Sequence, residues 1–155
     1  MSLWLGILGG QLTAAAREAD IAVAHRNSPF ITAYPWSAGF GTKYANPATL
    51  PAGRGFGTAF SPSGNAIAVA HVTSPFITAY PWSAGFGTKY ANPATLPTST
   101  GRGTAFSPSG DAIAVAHFTS PFITAYPWSA GFGTKYANPA TLPVDTGYGT
   151  AFSPN

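Results

Sequence analysis

Three histidines stand at a fixed interval: His25, His71 and His117 are each 46 residues from the next. Neutral imidazole is the commonest metal ligand, and a ring of three such groups is suited to holding a metal or an anion on an axis. A metal-bound imidazole usually has its second nitrogen oriented by an acid or a carbonyl. The acids here are Glu18, Asp20, Asp111 and Asp145, and none recurs beside the histidines. The expected role is therefore a hydrogen-bonded histidine that ties one repeat to the next, with no metal bound. There is no cysteine, so thiolate sites and disulfides are excluded. No pair of carboxylates has a spacing for glycoside hydrolysis, and no nucleophile motif is present. The "GFGT" and "GRGT" strings contain Gly-x-Gly but do not open a helix, which argues against a phosphate loop. The chain is expected not to be an enzyme and to carry no cofactor.

Other side chains recur at the same interval. Trp36, Trp82 and Trp128 offer either a shelf for stacking sugars or a packing peg, and the peg is expected. Lys43, Lys89 and Lys135 read as charges that guard an edge strand. The places where copies differ are as informative as those where they agree. After each histidine stands Arg26, Val72 or Phe118, and after each "ATLP" come Arg54 and Phe56, Arg102, or Asp145 and Tyr148. Arg and aromatic residues are the types that dominate binding surfaces. These eight residues form the expected ligand-binding set. The competing explanation is drift in loops that tolerate change.

The elements that position these residues follow from one repeated unit of 46 residues, the signature of a repeat architecture. Residues 1–20 form a separate leader, read as a short helix through "QLTAAAREAD" or a weak signal-like segment. The repeats occupy 21–66, 67–112 and 113–155. In the fullest copy, segment A ("GTAFSPSG", 103–110) is a strand ending in a turn. Segment B ("DAIAVAH", 111–117) alternates: Ile113, Val115 and His117 face one way, and Ala112, Ala114 and Ala116 the other. Segment C ("PFITAYPW", 121–128) is β-branched and aromatic, as strands are. "SAGFG" is a turn, and segment D ("TKYAN", 134–138) reads as a polar fourth strand. The eight variable residues then fall in the B–C and D–A connections, on one rim.

Four antiparallel strands per repeat describe a blade of a β-propeller. A β-solenoid is the alternative, with rungs usually shorter than this unit. The fold class expected is all-β, with three circularly permuted four-stranded blades. The chain reads B-C-D, A-B-C-D, A-B-C-D, A, and closes only by oligomerisation or as part of a longer propeller. The terminal segment A, Gly149–Pro154, is expected to pair with Ile21–His25 of a neighbouring copy. Two copies would bring six blades and three copies nine.

Composition bounds the partners. Apolar residues make up 45% of the chain and charged residues only 7%. Disorder needs the reverse balance. The net charge of +3 comes from scattered residues, so no nucleic-acid partner is expected. The apolar run near the start is too short for a membrane span. A surface this poor in charge suits an extracellular or virion setting.

The string "TAFSPSGDAIAVAH…ITAYPW" resembles the WD-repeat propeller family over residues 21–155. It departs where that family has Trp-Asp, since this chain has "YPW", and it lacks the Gly-His dipeptide. It also resembles propeller repeats of phage tail-associated proteins. The resemblance implies a non-catalytic binding module, an adhesin or tail-associated part whose rim meets a protein or a glycan. A purely structural segment or a truncated piece of a larger propeller is the alternative.

Overall fold

The computed structural model describes residues 18–154. Among them the chain forms eight strands and no helix. They are β1 (Ala19–Ala24), β2 (Ile31–Trp36), β3 (Gly55–Phe60), β4 (Ala66–His71), β5 (Ile77–Pro81), β6 (Gly101–Phe106), β7 (Ala112–His117) and β8 (Ile123–Pro127). They make three small antiparallel sheets: β1-β2, β3-β4-β5 and β6-β7-β8. The repeats keep one register, with Ile21, Ile67 and Ile113 opposite Tyr34, Tyr80 and Tyr126. Alternation is the cause. A one-residue slip would turn the Ile/Val row and the Ala row to the wrong faces.

The core lies in the seams between successive sheets. In the second seam Ala66, Ala68 and Ala70 of β4 meet Ile113 and Val115 of β7, and all five are buried. In the first, Ile67 and Val69 pack with Ile31 and Ala33 of β2, and Ala22 and Ala24 close the edge. The alanine row lets the neighbouring sheet approach, and the Ile/Val row fills the space so made. Trp82 and Trp128 peg the seams. Trp82 meets Tyr44, Phe60 and Phe86 edge to face at 5.1, 5.2 and 5.0 Å. Its indole Nε1 donates to Asp20 Oδ2 at 2.7 Å, which ties it to β1. The buried phenols of Tyr80 and Tyr126 donate to the Thr49 and Thr95 carbonyls, both at 2.7 Å. Burial pushes both phenols above their ordinary pKa.

One feature differs from the sequence reading. Segment D is not a strand. Its copies run extended past β2, β5 and β8, held by single bonds from the Tyr44, Tyr90 and Tyr136 amides to the Ala33, Ala79 and Ala125 carbonyls. Lysine and proline are the reason. Lys89 Nζ turns back onto the Tyr90 carbonyl and Asn92 Oδ1, and likewise Lys43 and Lys135 in their copies, while the following proline has no amide to give. Each sheet therefore has at most three strands, not four. The described sheets stack openly, with no closed propeller or barrel among them, and what they show of the fold class is all-β. Residues 149–154 carry no strand pairing within the chain, and the pairing expected of them is with a neighbouring copy. The helix expected in the leader falls mostly outside the described residues, but Ala19 and Asp20 already belong to β1. No described helix is long and apolar enough to cross a membrane.

Candidate functional site

The Gly-x-Gly strings shape the most distinctive surface. Gly55 stands opposite His71 and Gly57 opposite Ala70, so Phe56 is an extra residue in β3. Gly101 and Gly103 flank Arg102 in the same way against His117 and Ala116. Such a bulge re-aims the inserted side chain. The flanking glycines also let successive sheets touch backbone to backbone. A Cβ on Gly57 would lie 2.8 Å from the Arg102 carbonyl oxygen, and one on Gly103 would lie 2.7 Å from Gly149 Cα. No real side chain fits there.

This approach lines up Phe56, Arg102 and Tyr148. The Arg102 guanidinium carbon lies 4.6 Å from the centroid of Phe56 and 5.6 Å from those of Phe118 and Tyr148. The Arg54 guanidinium lies 4.9 Å from the Phe56 ring. A guanidinium is attracted to ring faces at these distances, and stacking leaves its in-plane donors open. Nε of both arginines is buried and lacks a hydrogen-bond partner. Among the described residues no carboxylate pairs with either arginine. Asp145, the nearest acid in sequence to Tyr148, is turned to the Thr146 amide at 2.6 Å. The arrangement suits a compact anion, which would meet two fixed cations with open donors between aromatic rings.

Of the eight residues expected on one rim, the structure joins Arg54, Phe56, Arg102, Phe118 and Tyr148 through ring contacts. Val72 lies behind them, its amide donating to the Arg54 carbonyl at 3.0 Å. Arg26 and Asp145 are exposed and stand outside these ring contacts. Threonine hydroxyls also shape this rim. Thr100 Oγ1 donates to the Val72 carbonyl, and Thr146 Oγ1 to the Phe118 carbonyl. Their sequence signal is that they lie in the D–A stretch that varies between copies.

The histidines do not converge. Each ring reaches the threonine across its own sheet: His25 to Thr32, His71 to Thr78 and His117 to Thr124, at 2.8 to 2.9 Å. The expected tie between repeats is thus mainly a tie within a sheet. His117 Nδ1 donates to the Thr119 carbonyl at 2.9 Å, which leaves Nε2 of the neutral ring to accept from the Thr124 hydroxyl. Burial holds His117 below the usual histidine range and pushes His71 down to about 4. Thr98 also approaches His117 Nδ1, and the equivalent position in the copy before is Ala52, so the buried Nδ1 of His71 lacks that hydroxyl. No group of three His, Cys, Asp or Glu that could hold a metal occurs among the described residues.

No family model matches the sequence, and no curated protein matches it. Solved structures do. The chain superposes on a candidate 6-phosphogluconolactonase from Bacteroides fragilis with a TM-score of 0.58 and 16% identity, covering 77% of this chain and 34% of that one. A candidate 6-phosphogluconolactonase from Bacteroides uniformis gives 0.53 and 18%, with 79% and 40% covered. The chain thus spans between a third and two-fifths of the length of these neighbours. The likeness is one of fold. It overturns the WD-repeat and phage-tail resemblances, and with them the adhesin-type, non-catalytic binding-module reading that rested on them, because the fold is shared with these neighbours instead. The local reason is visible at "YPW". Trp82 and Trp128 pack edge to face against Phe86 and Phe132 in the seams.

Proposed function

We propose that the chain is one part of an enzyme-like stack of sheets that takes a phosphorylated sugar acid or its lactone, and that Arg54 and Arg102 hold the anionic group. The observation that carries this reading is the Arg102 guanidinium stacked among three aromatic rings with no carboxylate partner among the described residues. A phosphate or carboxylate matches the planar fork of a stacked guanidinium, and the rings of Phe56 and Tyr148 match the apolar face of a sugar. The fold neighbours, named for action on a phosphorylated sugar lactone, support the same substrate class.

Lactone opening adds water to the carbonyl carbon, breaks the ring C–O bond and moves a proton from the water to the ring oxygen. That step needs a general base within hydrogen-bond reach of the water. The histidines are occupied by threonines, and no acid adjoins the arginines. The part of this step assigned to the described residues is holding of the anion. The reading includes self-association, with two copies bringing six sheets together or three copies nine.

Calorimetric titration with 6-phosphogluconate at low salt tests the anion site. Binding is expected, with inorganic phosphate competing and Arg102→Ala weakening it at least tenfold. Binding that survives replacement of both Arg54 and Arg102 by alanine, or no binding by the native chain, overturns the proposal.

A further inference from the structure

The two ends of the stack complement one another, and the seams inside the molecule show how. Ile67, Val69, Ile113 and Val115 have no exposure, yet their counterparts in β1, Ile21 and Val23, are 39% and 49% exposed. Tyr34 and Phe40 line the same open apolar groove. At the opposite end stands β7, whose alanine row is of the type against which an Ile/Val row packs in the second seam; Ala112 is half-buried, while Ala114 and Ala116 are already buried, with Gly147 against Ala116. Beside it, residues 147–154 run extended without a sheet of their own. Their start is fixed in place, because the Gly147 amide donates to the His117 carbonyl at 3.0 Å and Gly149 Cα abuts Gly103. The first two sheets are joined by the same bond, from the Gly55 amide to the His25 carbonyl at 3.0 Å. The sequence "GYGTAF" at 147–152 matches "GFGTAF" of β3 and "GRGTAF" of β6, each the third strand of its sheet. The sheet of β1 and β2 has no such third strand among the described residues, and residues 11–20, "QLTAAAREAD", carry nothing like it.

We infer that residues 149–152 of one copy form the third strand on β1 of a second copy, in the register of the internal sheets, and that the exposed Ile21/Val23 face of that copy is covered by the β7 end of the first. The inference rests on the self-association included in the functional reading and adds its faces and register. Thr58 stands opposite Val69 and Thr104 opposite Val115, so Thr150 of one copy stands opposite Val23 of the next. Phe152 then meets Ile21, as Phe60 meets Ile67. The contact is head to tail, so one interface repeated closes a ring or extends a chain of copies. It also carries the column of Phe56, Arg102 and Tyr148 onward. Tyr148, 71% exposed here, would gain a neighbour, and Gly149, whose Cβ would meet nothing in one chain, would abut the inner strand of the next as Gly57 and Gly103 do.

The absence of native cysteine makes a crosslink decisive. Directly opposed residues on one face have the Cβ separation that a disulfide needs, and residues on opposite faces do not. The full chain carrying Val23→Cys with Thr150→Cys, oxidised gently, is expected to give a covalent ladder of multimers. Val23→Cys with Ala151→Cys is expected to give none. Mixing native-length and extended versions should yield bands of mixed size, proving the link is between chains. Equal crosslinking by both pairs, or a link formed only within one chain, overturns the seam. Gly149→Ala offers an independent arm: it should leave the melting of dilute protein unchanged and reduce association at least tenfold. Association that persists undiminished in Gly149→Ala overturns the seam but leaves self-association standing. A single 15.9 kDa species by light scattering at every concentration overturns both. Neither result bears on 6-phosphogluconate binding by the single chain.

Discussion

His71 sets how this protein responds to acid. Its ring is fully buried against Thr78, and burial pushes its pKa down to about 4. In the unfolded chain the value returns to about 6.5. The unfolded state therefore takes up the proton first as pH falls. Stability is complete above the unfolded value and is lost between about 6.5 and 4, by roughly 3 kcal/mol from this one group. His117 is shifted in the same direction. The melting temperature should be flat from pH 7 to 8 and fall steeply between 6.5 and 4. His71→Gln should lower it at pH 7 and flatten that slope, which a calorimetric pH series will measure. Asp111 shows the opposite kind of residue. Its exposed carboxylate is held below its ordinary pKa first by Ser109 and then by Ser107. Asn65 accepts from Ser61 and Ser63 in the matching turn. Asp111→Asn should thus change stability by less than about 0.5 kcal/mol in denaturant titration.

At the scale of the element, the bulge in β3 and β6 decides what the sheets present. Without the extra residue, Phe56 and Arg102 would take ladder positions with alternate facing. With it, they stand out beside the touching backbones. Gly103→Ala places a methyl group against the Gly149 backbone, which has no side chain to yield. A cost of about 1 to 3 kcal/mol is expected. The variant should also weaken 6-phosphogluconate binding, because the alignment of Arg102 with Tyr148 depends on that approach. Thermal melting and titration of the same sample check both effects. The strands B and C were legible because alternation and β-branched residues report directly on a half-buried pleated surface. Segment D was not. Its composition suits a strand, but a lysine folding onto its neighbour's carbonyl removes an acceptor that a ladder would need.

At the scale of the molecule, stability resides in seams between neighbours, as in other stacked repeats. Trp82 lies in the first seam, held by three rings and by Asp20. Trp82→Ala removes those contacts and the donor to a carboxylate, at a cost of about 3 to 5 kcal/mol. The loss should be local. Hydrogen exchange should quicken in β1 and β2, which depend on that seam, well before it quickens in β7. Uniform acceleration across all three sheets would mean that the stack unfolds as one unit.

The sequence alone determined the repeat and the alternating Ile/Val and Ala rows, because these depend on the order of residue types along a few neighbouring positions. It also singled out Arg54, Phe56, Arg102, Phe118 and Tyr148 by the way copies differ. Only the tertiary structure decided what those residues do together. The decisive contacts join Gly57 to Arg102 and Gly103 to Gly149, across sheets 45 or 46 residues apart, and no local pattern encodes a distance of that kind. The glycines that looked like a poor phosphate loop are there so that two backbones can meet. The histidines that looked like a ring are each satisfied inside their own sheet, because the antiparallel register places a threonine hydroxyl within 2.9 Å of every one.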